Sequence, residues 1–404
     1  MKIVVVGAGA SGMMAAITAA REPSNEVILL ERNKIVGRKM FITGKGRCNV
    51  TNAADISEFF DAIPRNPDFL YSALYSFSNE MLMDWLRGKG LKLKTERGQR
   101  VFPLSDKSSD VIRVFTRELE DLNVDVRFDT QVSAIKVEGD LVTGVKTNRG
   151  LITADHYIIA TGGGSYALTG SDGAALEQLK RIGVKTHPFS PSLIPLTVSQ
   201  KNVSELAGVS LKNVGFTLLD GKRVLFKDLG EMLFTHNGVS GPLVLSASCL
   251  RTQGELTCEI DLKPGLTEEA LEARILRDFA KYQNKDLRNG LTDLLIQRLI
   301  PFILERAELD GITKVNAVTT AQRKSLIQAI KHLSFTINGT RPLTEAIISR
   351  GGVDVNEIDP STMKLKRFKN LSVCGELVDV DAYTGGYNLQ IAFSTGYLAG
   401  ASLS

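Results

Sequence analysis

The chain has 404 residues, 43% of them apolar and 23% charged, with a formal net charge of +4. Such a composition builds packed globular domains, two or three by length at roughly 150 residues each, and so small a charge supports at most local basic patches and gives little reason to expect nucleic-acid or membrane binding. Cys48, Cys249, Cys258 and Cys374 form no Cys-x-x-Cys pair and the four histidines lack metal-ligand spacing, so neither a disulfide scaffold nor a metal centre is expected, and a reducing cytoplasm fits.

No apolar run reaches the roughly 18 residues of a membrane helix, and residues 3–6 are too few for a signal-peptide core. Those four residues, Ile3 to Val6, predict a buried parallel strand that runs into Gly7-Ala8-Gly9-Ala10-Ser11-Gly12. A helix is predicted over 13–20 and a second apolar strand over 26–30, ending at Glu31, nineteen residues beyond Gly12. Each part has a mechanical role in holding a dinucleotide. Gly7 makes the tight turn, Gly9 admits the pyrophosphate, Gly12 lets helix and strand pack, and Glu31 accepts from a ribose hydroxyl. The acid disfavours a 2′-phosphate there.

Residues 32–52 do not start another βα unit. Arg32, the stretch Gly37-Arg38-Lys39, and then Gly44-Lys45-Gly46-Arg47-Cys48-Asn49 form a loop rich in glycine and cations. Such a loop suits an extended pyrophosphate and the N1–C2 edge of an isoalloxazine, which turns negative on reduction. A strand starts near Val132, and a hairpin is predicted over 134–147. The apolar strand 156–160 closes on Thr161-Gly162-Gly163-Gly164, a second phosphate-proximal turn.

Pro188, Pro191 and Pro195 mark a domain boundary. The alternating run 203–262 predicts an antiparallel sheet or barrel, and 267–333 predicts helices, the first capped by Thr267. Near the C-terminus, a strand over 370–373 leads into Cys374-Gly375-Glu376, Asp381 and Gly385-Gly386-Tyr387-Asn388. A small-residue helix over 391–400 follows. Its glycine-rich start can face flavin O2 and N1. Three separated glycine turns of compatible kind favour FAD over NAD. No second acid-terminated unit for NAD(P)H follows, so NAD(P)H is expected only as a transient donor visiting an open site.

At this point the chain resembles a bacterial family of three-domain flavoproteins that includes aminoacetone oxidase and BaiN-like NAD(P)/FAD-dependent oxidoreductases. The matching stretches include GAGASGMMAA, ERNKIVGRKMFITGKGRCNVTN, IIATGGGSYALTGSDG, FTHNGVSGP and CGELVDVDAYTGGYNLQIAFSTG. The resemblance implies an α/β fold: a two-dinucleotide-binding, glutathione-reductase-like FAD domain (1–190 and 335–404) with an inserted β-barrel-like domain (191–264) and a helical domain (265–334). One departure is Arg350, where a small residue is expected before Gly351-Gly352.

The expected active site draws on three loops: 44–49, 234–242 and 349–353. His236 is a candidate general acid or base, or a structural histidine bonding its own loop. Ser240 is a candidate for orienting a carbonyl, or a helix cap. Arg350 is a candidate for binding an anion or polarising an enone carbonyl, or a surface ion pair. Cys48 reads as a structural thiol beside the cofactor, because no resolving cysteine is near.

The expectation is non-covalent FAD in an oxidoreductase that moves a hydride between flavin N5 and a small or medium organic substrate. Reduction of an activated C=C bond is one version. A flavin amine oxidase using oxygen is an alternative, and a flavin-binding RNA-modification or redox-sensing protein is another. Neither a nucleic-acid nor a membrane partner is expected.

Overall fold

In the computed structural model, residues 1–250 and 254–403 are described; residues 251–253, within the alternating run, and Ser404 lie outside them. The chain divides into two compact units, Met1–Ser192 with Pro342–Ser404, and Leu193–Arg341.

The first unit is built on a parallel sheet. Its strands, in spatial order, are Leu371–Val373, His156–Ile159, Lys2–Val6, Glu26–Leu30 and Asp125–Arg127. In register, Val5 lies opposite Leu29 on one side and Ile158 on the other. The central strands are nearly continuous apolar runs because both faces are covered, and Ile3, Val4, Val5, Ile28 and Ile158 are fully buried. The helix Ala10–Ala19 is buried throughout. It packs against the last helix, Tyr387–Ala401, along a glycine seam: a Cβ on Gly396 would meet Ser11 O at 2.2 Å, and one on Gly400 would meet Ala15 O at 2.5 Å. That approach is open only to glycine. The amphipathic helix Ser108–Asp121 turns Phe115 inward, where its ring stacks on Phe393 with centroids 5.1 Å apart.

Smaller sheets complete this unit. The predicted hairpin gains a third strand, Val132–Glu138, Leu141–Thr147 and Gly150–Ile152. Thr51–Asn52, Arg100–Pro103 and Leu93–Glu96 form another, and Thr186–Ser192 pairs antiparallel with Ile348–Val353.

The second unit is a closed barrel of six strands: Leu196–Val198, Gly238–Ser240, Arg223–Thr235, Ser210–Asp220, Leu256–Asp261 and Leu333–Thr340. The sequence reading returns the chain to the FAD domain at residue 335. Instead, Leu333–Thr340 closes the barrel. Its alternating burial lets Leu333, Phe335 and Ile337 fill the interior while the backbone pairs with strands on both sides. The helices Glu268–Lys281, Ile300–Arg306 and Thr320–Lys331 fall in sequence between the paired barrel strands Leu256–Asp261 and Leu333–Thr340 and belong to the same compact unit. Thr267 caps the first through Ala270 N–H at 3.2 Å, and Thr319 with Gln322 forms a capping box on the last. Among the described residues, no helix is long and apolar enough to cross a membrane, and no group of acids, histidines and cysteines could hold a metal ion.

Candidate functional site: a glycine-lined cofactor cradle

The first unit brings its glycine turns together around the carboxyl ends of the parallel strands. Gly7 has φ +100, and a Cβ there would lie 2.6 Å from Ala160 O, so the first turn rests on the second. A Cβ on Gly12 would lie 1.8 Å from Gly7 O, which ties helix start to strand end. Gly9 is different: an added Cβ would meet nothing within 4 Å. Two glycines are thus required by the protein itself, and the third leaves open space over the helix N-terminus. That helix has no side-chain cap and no acid in its first turn, so the N–H groups around Ala10, Ser11 and Gly12 have no competing carboxylate.

Glu31 is buried at the end of its strand. Its Oε2 accepts from Ala8 N–H at 2.9 Å, and Oε1 accepts from Asn33 N–H at 2.8 Å and Asn33 Nδ2 at 2.6 Å. These bonds fix its orientation and leave Oε2 with capacity to accept once more. The neighbouring Arg32 faces Asp172 at 2.5 Å and Gly170 O at 3.4 Å.

The three cofactor segments are joined by a polar network centred on Glu376. Lys39 Nζ donates to Glu376 Oε2 at 2.6 Å and to Ser165 Oγ at 2.8 Å. Glu376 Oε1 accepts from Ser349 N–H at 2.8 Å, Ser349 Oγ at 3.0 Å and Ser165 Oγ at 3.2 Å. Gly163 fits beneath: a Cβ there would lie 2.0 Å from Ser349 Oγ. Ser165, and the central part of Ser349, are not legible as network members in the sequence. Their only local signal is adjacency to the glycine turns.

In the loop, Gly44, Lys45, Gly46 and Cys48 have φ of 57, 60, 85 and 60, a left-handed course with two non-glycine members. Burial pushes the Cys48 thiol up to about 12, so it stays protonated at neutral pH. All four cysteines are buried and unpaired with one another. Arg47 points to Glu96 and Asp106 at 2.9 and 3.3 Å. Two buried oxygens near the turns have no hydrogen-bond partner, Asn49 Oδ1 and Thr161 Oγ1. Buried polar atoms are almost always satisfied, so these two, with the space over Gly9, fit a polar ligand laid across the turns.

At the C-terminal turn, Gly375 has φ +71 and would carry a Cβ 2.3 Å from Ser11 Oγ; Gly386, at φ +105, would carry one 2.3 Å from Thr51 O. Gly385 has φ +135. Asn388 Oδ1 accepts from Ala382 N–H at 3.0 Å while its Nδ2 donates to Ala382 O at 2.8 Å, so this side chain locks its own loop. The Tyr387 ring meets Phe59 edge-on at 4.9 Å. Asp381 is buried; it accepts from Ser192 Oγ at 2.6 Å and lies 3.6 Å from Arg65 Nε, and burial raises its pKa. Val132 begins its strand, with its carbonyl accepting from Gln178 at 3.3 Å.

The catalytic candidates divide between the units. Arg350 lies in the first, on Ile348–Val353 opposite Ser190, and its charge favours the ionised form of Asp381. His236 and Ser240 lie in the second. His236 is exposed in the turn after Arg223–Thr235. Ser240 ends a strand opposite Leu233 and does not cap the following helix, whose N-cap is Gly241 without a side-chain bond.

Comparison with known proteins gives a consistent placement. The model of the family described as HI0933-like protein Rossmann domain matches residues 1–402. The chain is 31% identical, over 99% of its length and 98% of the relative's, to the 3-dehydro-bile acid delta(4,6)-reductase of Clostridium scindens. It is 28% identical, over 99% of its length and 97% of the relative's, to the ribosomal RNA dihydrouridine synthase of Escherichia coli. Among solved structures, the fold is similar to E. coli quinol fumarate reductase (TM-score 0.53, 16% identity, 99% of this chain and 69% of that one). It is also similar to the 3-ketosteroid-delta4-(5alpha)-dehydrogenase of Rhodococcus jostii (TM-score 0.50, 14% identity, 99% and 96%). The glycine cradle and a family match over nearly the whole length lead to one conclusion: the chain belongs to the HI0933-like Rossmann family and is an FAD-dependent oxidoreductase.

Proposed function

We propose that the protein reduces a carbon–carbon double bond conjugated to a carbonyl, with FAD bound non-covalently along the cradle of the first unit. The observation that carries the cofactor assignment is the open space over Gly9 at an uncapped helix start, with two buried, unpartnered oxygens, Asn49 Oδ1 and Thr161 Oγ1, in the neighbouring glycine turns. The type of reaction is supported by the names of two relatives that match over nearly their full length. A delta(4,6)-reductase and a dihydrouridine synthase both saturate a ring double bond in conjugation with a carbonyl.

In this reading the first-turn N–H groups beyond Gly9 hold the pyrophosphate, and Glu31 Oε2 accepts from the adenosine ribose. Lys39, Glu376 and Thr161 hold the middle of the cofactor, while loop 44–49 and the Gly385–Gly386 helix start face the isoalloxazine. Bound there, the flavin supplies hydride transfer at N5. The helix Tyr387–Ala401 has no acid in its first turn, so its N-terminus would stabilise negative charge on a flavin held there. Within the first unit, Arg350 is proposed to hold the substrate carbonyl. Cys48 takes no part in thiol exchange. NAD(P)H is the proposed donor, arriving transiently, and the proposed setting is cytoplasmic.

The substrate follows one of two patterns. The bile-acid relative points to a free polycyclic enone, the ribosomal relative to a uracil ring within RNA. We favour the free small molecule, because a net charge of only +4 gives little overall attraction for a polyanion.

Anaerobic mixing of the yellow protein with NADH, then NADPH, followed by a conjugated 3-oxosteroid, tests the proposal. Bleaching by the nicotinamide and recolouring by the enone are expected. Recolouring only by a uridine-containing RNA moves the substrate to the second pattern. Bleaching by a primary amine, with fast reoxidation in air, makes it an amine oxidase.

A further inference from the structure

Loop 44–49 contains two cations, Lys45 and Arg47, and they are placed differently. Lys45 is exposed. Arg47, 35% exposed, meets Glu96 Oε1 on the strand Leu93–Glu96 at 2.9 Å, the Phe102 ring on Arg100–Pro103, whose centroid is 4.1 Å from the guanidinium carbon, and Asp106 Oδ1 beyond that strand at 3.3 Å. Lys94 Nζ closes the ring of charges, 2.6 Å from Asp106 Oδ2 and 3.4 Å from Glu96 Oε1. Two cations facing two carboxylates cancel, so the guanidinium has little net field to offer a flavin. A planar group that stacks on an aromatic face while donating sideways to two carboxylates suits arginine and not lysine.

What this tetrad holds is a backbone that resists its own conformation. Lys45 and Cys48 both have φ 60, and left-handed non-glycine residues persist only where their surroundings over-determine them. Arg47 lies between these two residues. Immediately after them comes Asn49, with its buried and unpartnered Oδ1.

We infer that Arg47 is a positioning residue: stacked on Phe102 and held by Glu96 and Asp106, it keeps loop 44–49 in its left-handed course so that Asn49 Oδ1 is presented to the flavin, which Arg47 does not itself touch. The inference rests on the reading of this loop as flavin-binding. It reassigns Arg47 from cofactor contact to support. Glu96, Phe102 and Asp106 become part of the flavin site's construction through Arg47.

The two roles for Arg47 predict opposite outcomes, and a pair of variants separates them. Arg47→Gln removes the guanidinium; the double variant Glu96→Ala/Asp106→Ala keeps the guanidinium and its charge but removes the two carboxylates that hold it. Apo protein is titrated with FAD by fluorescence, and the flavin midpoint potential is measured on each holoprotein. If Arg47 supports the loop, both variants weaken FAD by about tenfold and shift the potential in the same direction, because preorganisation is lost either way. If Arg47 acts on the flavin through its charge, the double variant binds FAD as well as or better than wild type while Arg47→Gln binds worse, and the inference is overturned. Wild-type affinity and potential in both variants overturn it too, and would leave a purely structural ion cluster that lowers only the melting temperature. A wild-type chain without affinity for FAD removes the flavin reading and this inference together, a result distinguishable from the other two. Should the double variant not fold, Glu96→Ala alone removes one of the two carboxylate bonds and is read by the same criteria.

Discussion

Lys39 and Glu376 stand 337 residues apart in the chain and meet through a 2.6 Å ion pair that fastens the first cofactor loop to the last. Both side chains are less than a quarter exposed, and Glu376 also accepts from the two buried serines, Ser165 and Ser349. Replacing Glu376 by Gln removes the charge and turns one acceptor into a donor facing Lys39. The expected cost is about 1–3 kcal/mol of stability, the range for leaving a partly buried polar group unsatisfied. Urea unfolding of the apoprotein measures it. Stability unchanged within a few tenths would show that the network contributes nothing to the unit.

The three glycines of the first turn should separate stability from cofactor binding. Gly12→Ala places a methyl 1.8 Å from Gly7 O and should prevent stable folding of the first unit. Gly9→Ala meets no protein atom within 4 Å and has φ −80, so the apoprotein should lose at most about 1 kcal/mol, the cost of alanine at an N-cap. Its FAD affinity should fall at least about tenfold because the methyl occupies the pyrophosphate's approach. Paired thermal melts and FAD titrations check both. Unchanged FAD affinity in Gly9→Ala would move the pyrophosphate elsewhere.

His156 sets an acid limit on the fold. It is buried in the central sheet with Nε2 2.9 Å from Ser372 Oγ; burial, with Lys364 nearby, pushes its pKa down to about 4 from an ordinary 6.5. The unfolded chain therefore binds a proton below pH 6.5 that the folded chain refuses, so stability falls as pH drops from 6.5 towards 4. The interval corresponds to about 3 kcal/mol at 1.36 kcal/mol per pH unit. Denaturant unfolding from pH 7 to 4 should show that slope, and His156→Asn should flatten it.

The thiols set the alkaline limit. Burial pushes Cys48, Cys258 and Cys374 up to about 12 from 9.0. Their contribution is intact below pH 9 and is lost as pH rises from 9 towards 12, because only the unfolded chain releases those protons readily. At pH 8 a thiol reagent should leave the native protein unlabelled and find four cysteines after denaturation. Rapid native labelling of Cys48 would reopen a redox role for it.

Much of the first unit is legible in the sequence because its constraints are local. Gly7, Gly9 and Gly12 answer to backbone conformation and close approach within a few residues of themselves. The apolar strands declare their burial by composition; in the second unit, Thr267 likewise caps the helix that begins at the next residue, through the N–H of Ala270. The barrel was visible as alternation, although its closing strand, Leu333–Thr340, was divided between two domains because the helices between it and its partner break the pattern.

Tertiary structure alone decided where the long polar side chains go. Arg32, Arg47 and Asn388 all sit in cofactor motifs, yet they face Asp172, Glu96 with Asp106, and the Ala382 backbone. Nothing local distinguishes a cation that meets a phosphate from one that meets a carboxylate 49 residues further on. Flexible side chains take their partners from whatever the folded backbone brings within about 3 Å, the reach of a hydrogen bond, and that is a property of the fold. The glycine turns were determined by the sequence because a missing Cβ acts on the chain's own backbone; the Lys39–Glu376 pair and the Arg47 tetrad exist only once the sheet has brought their segments together.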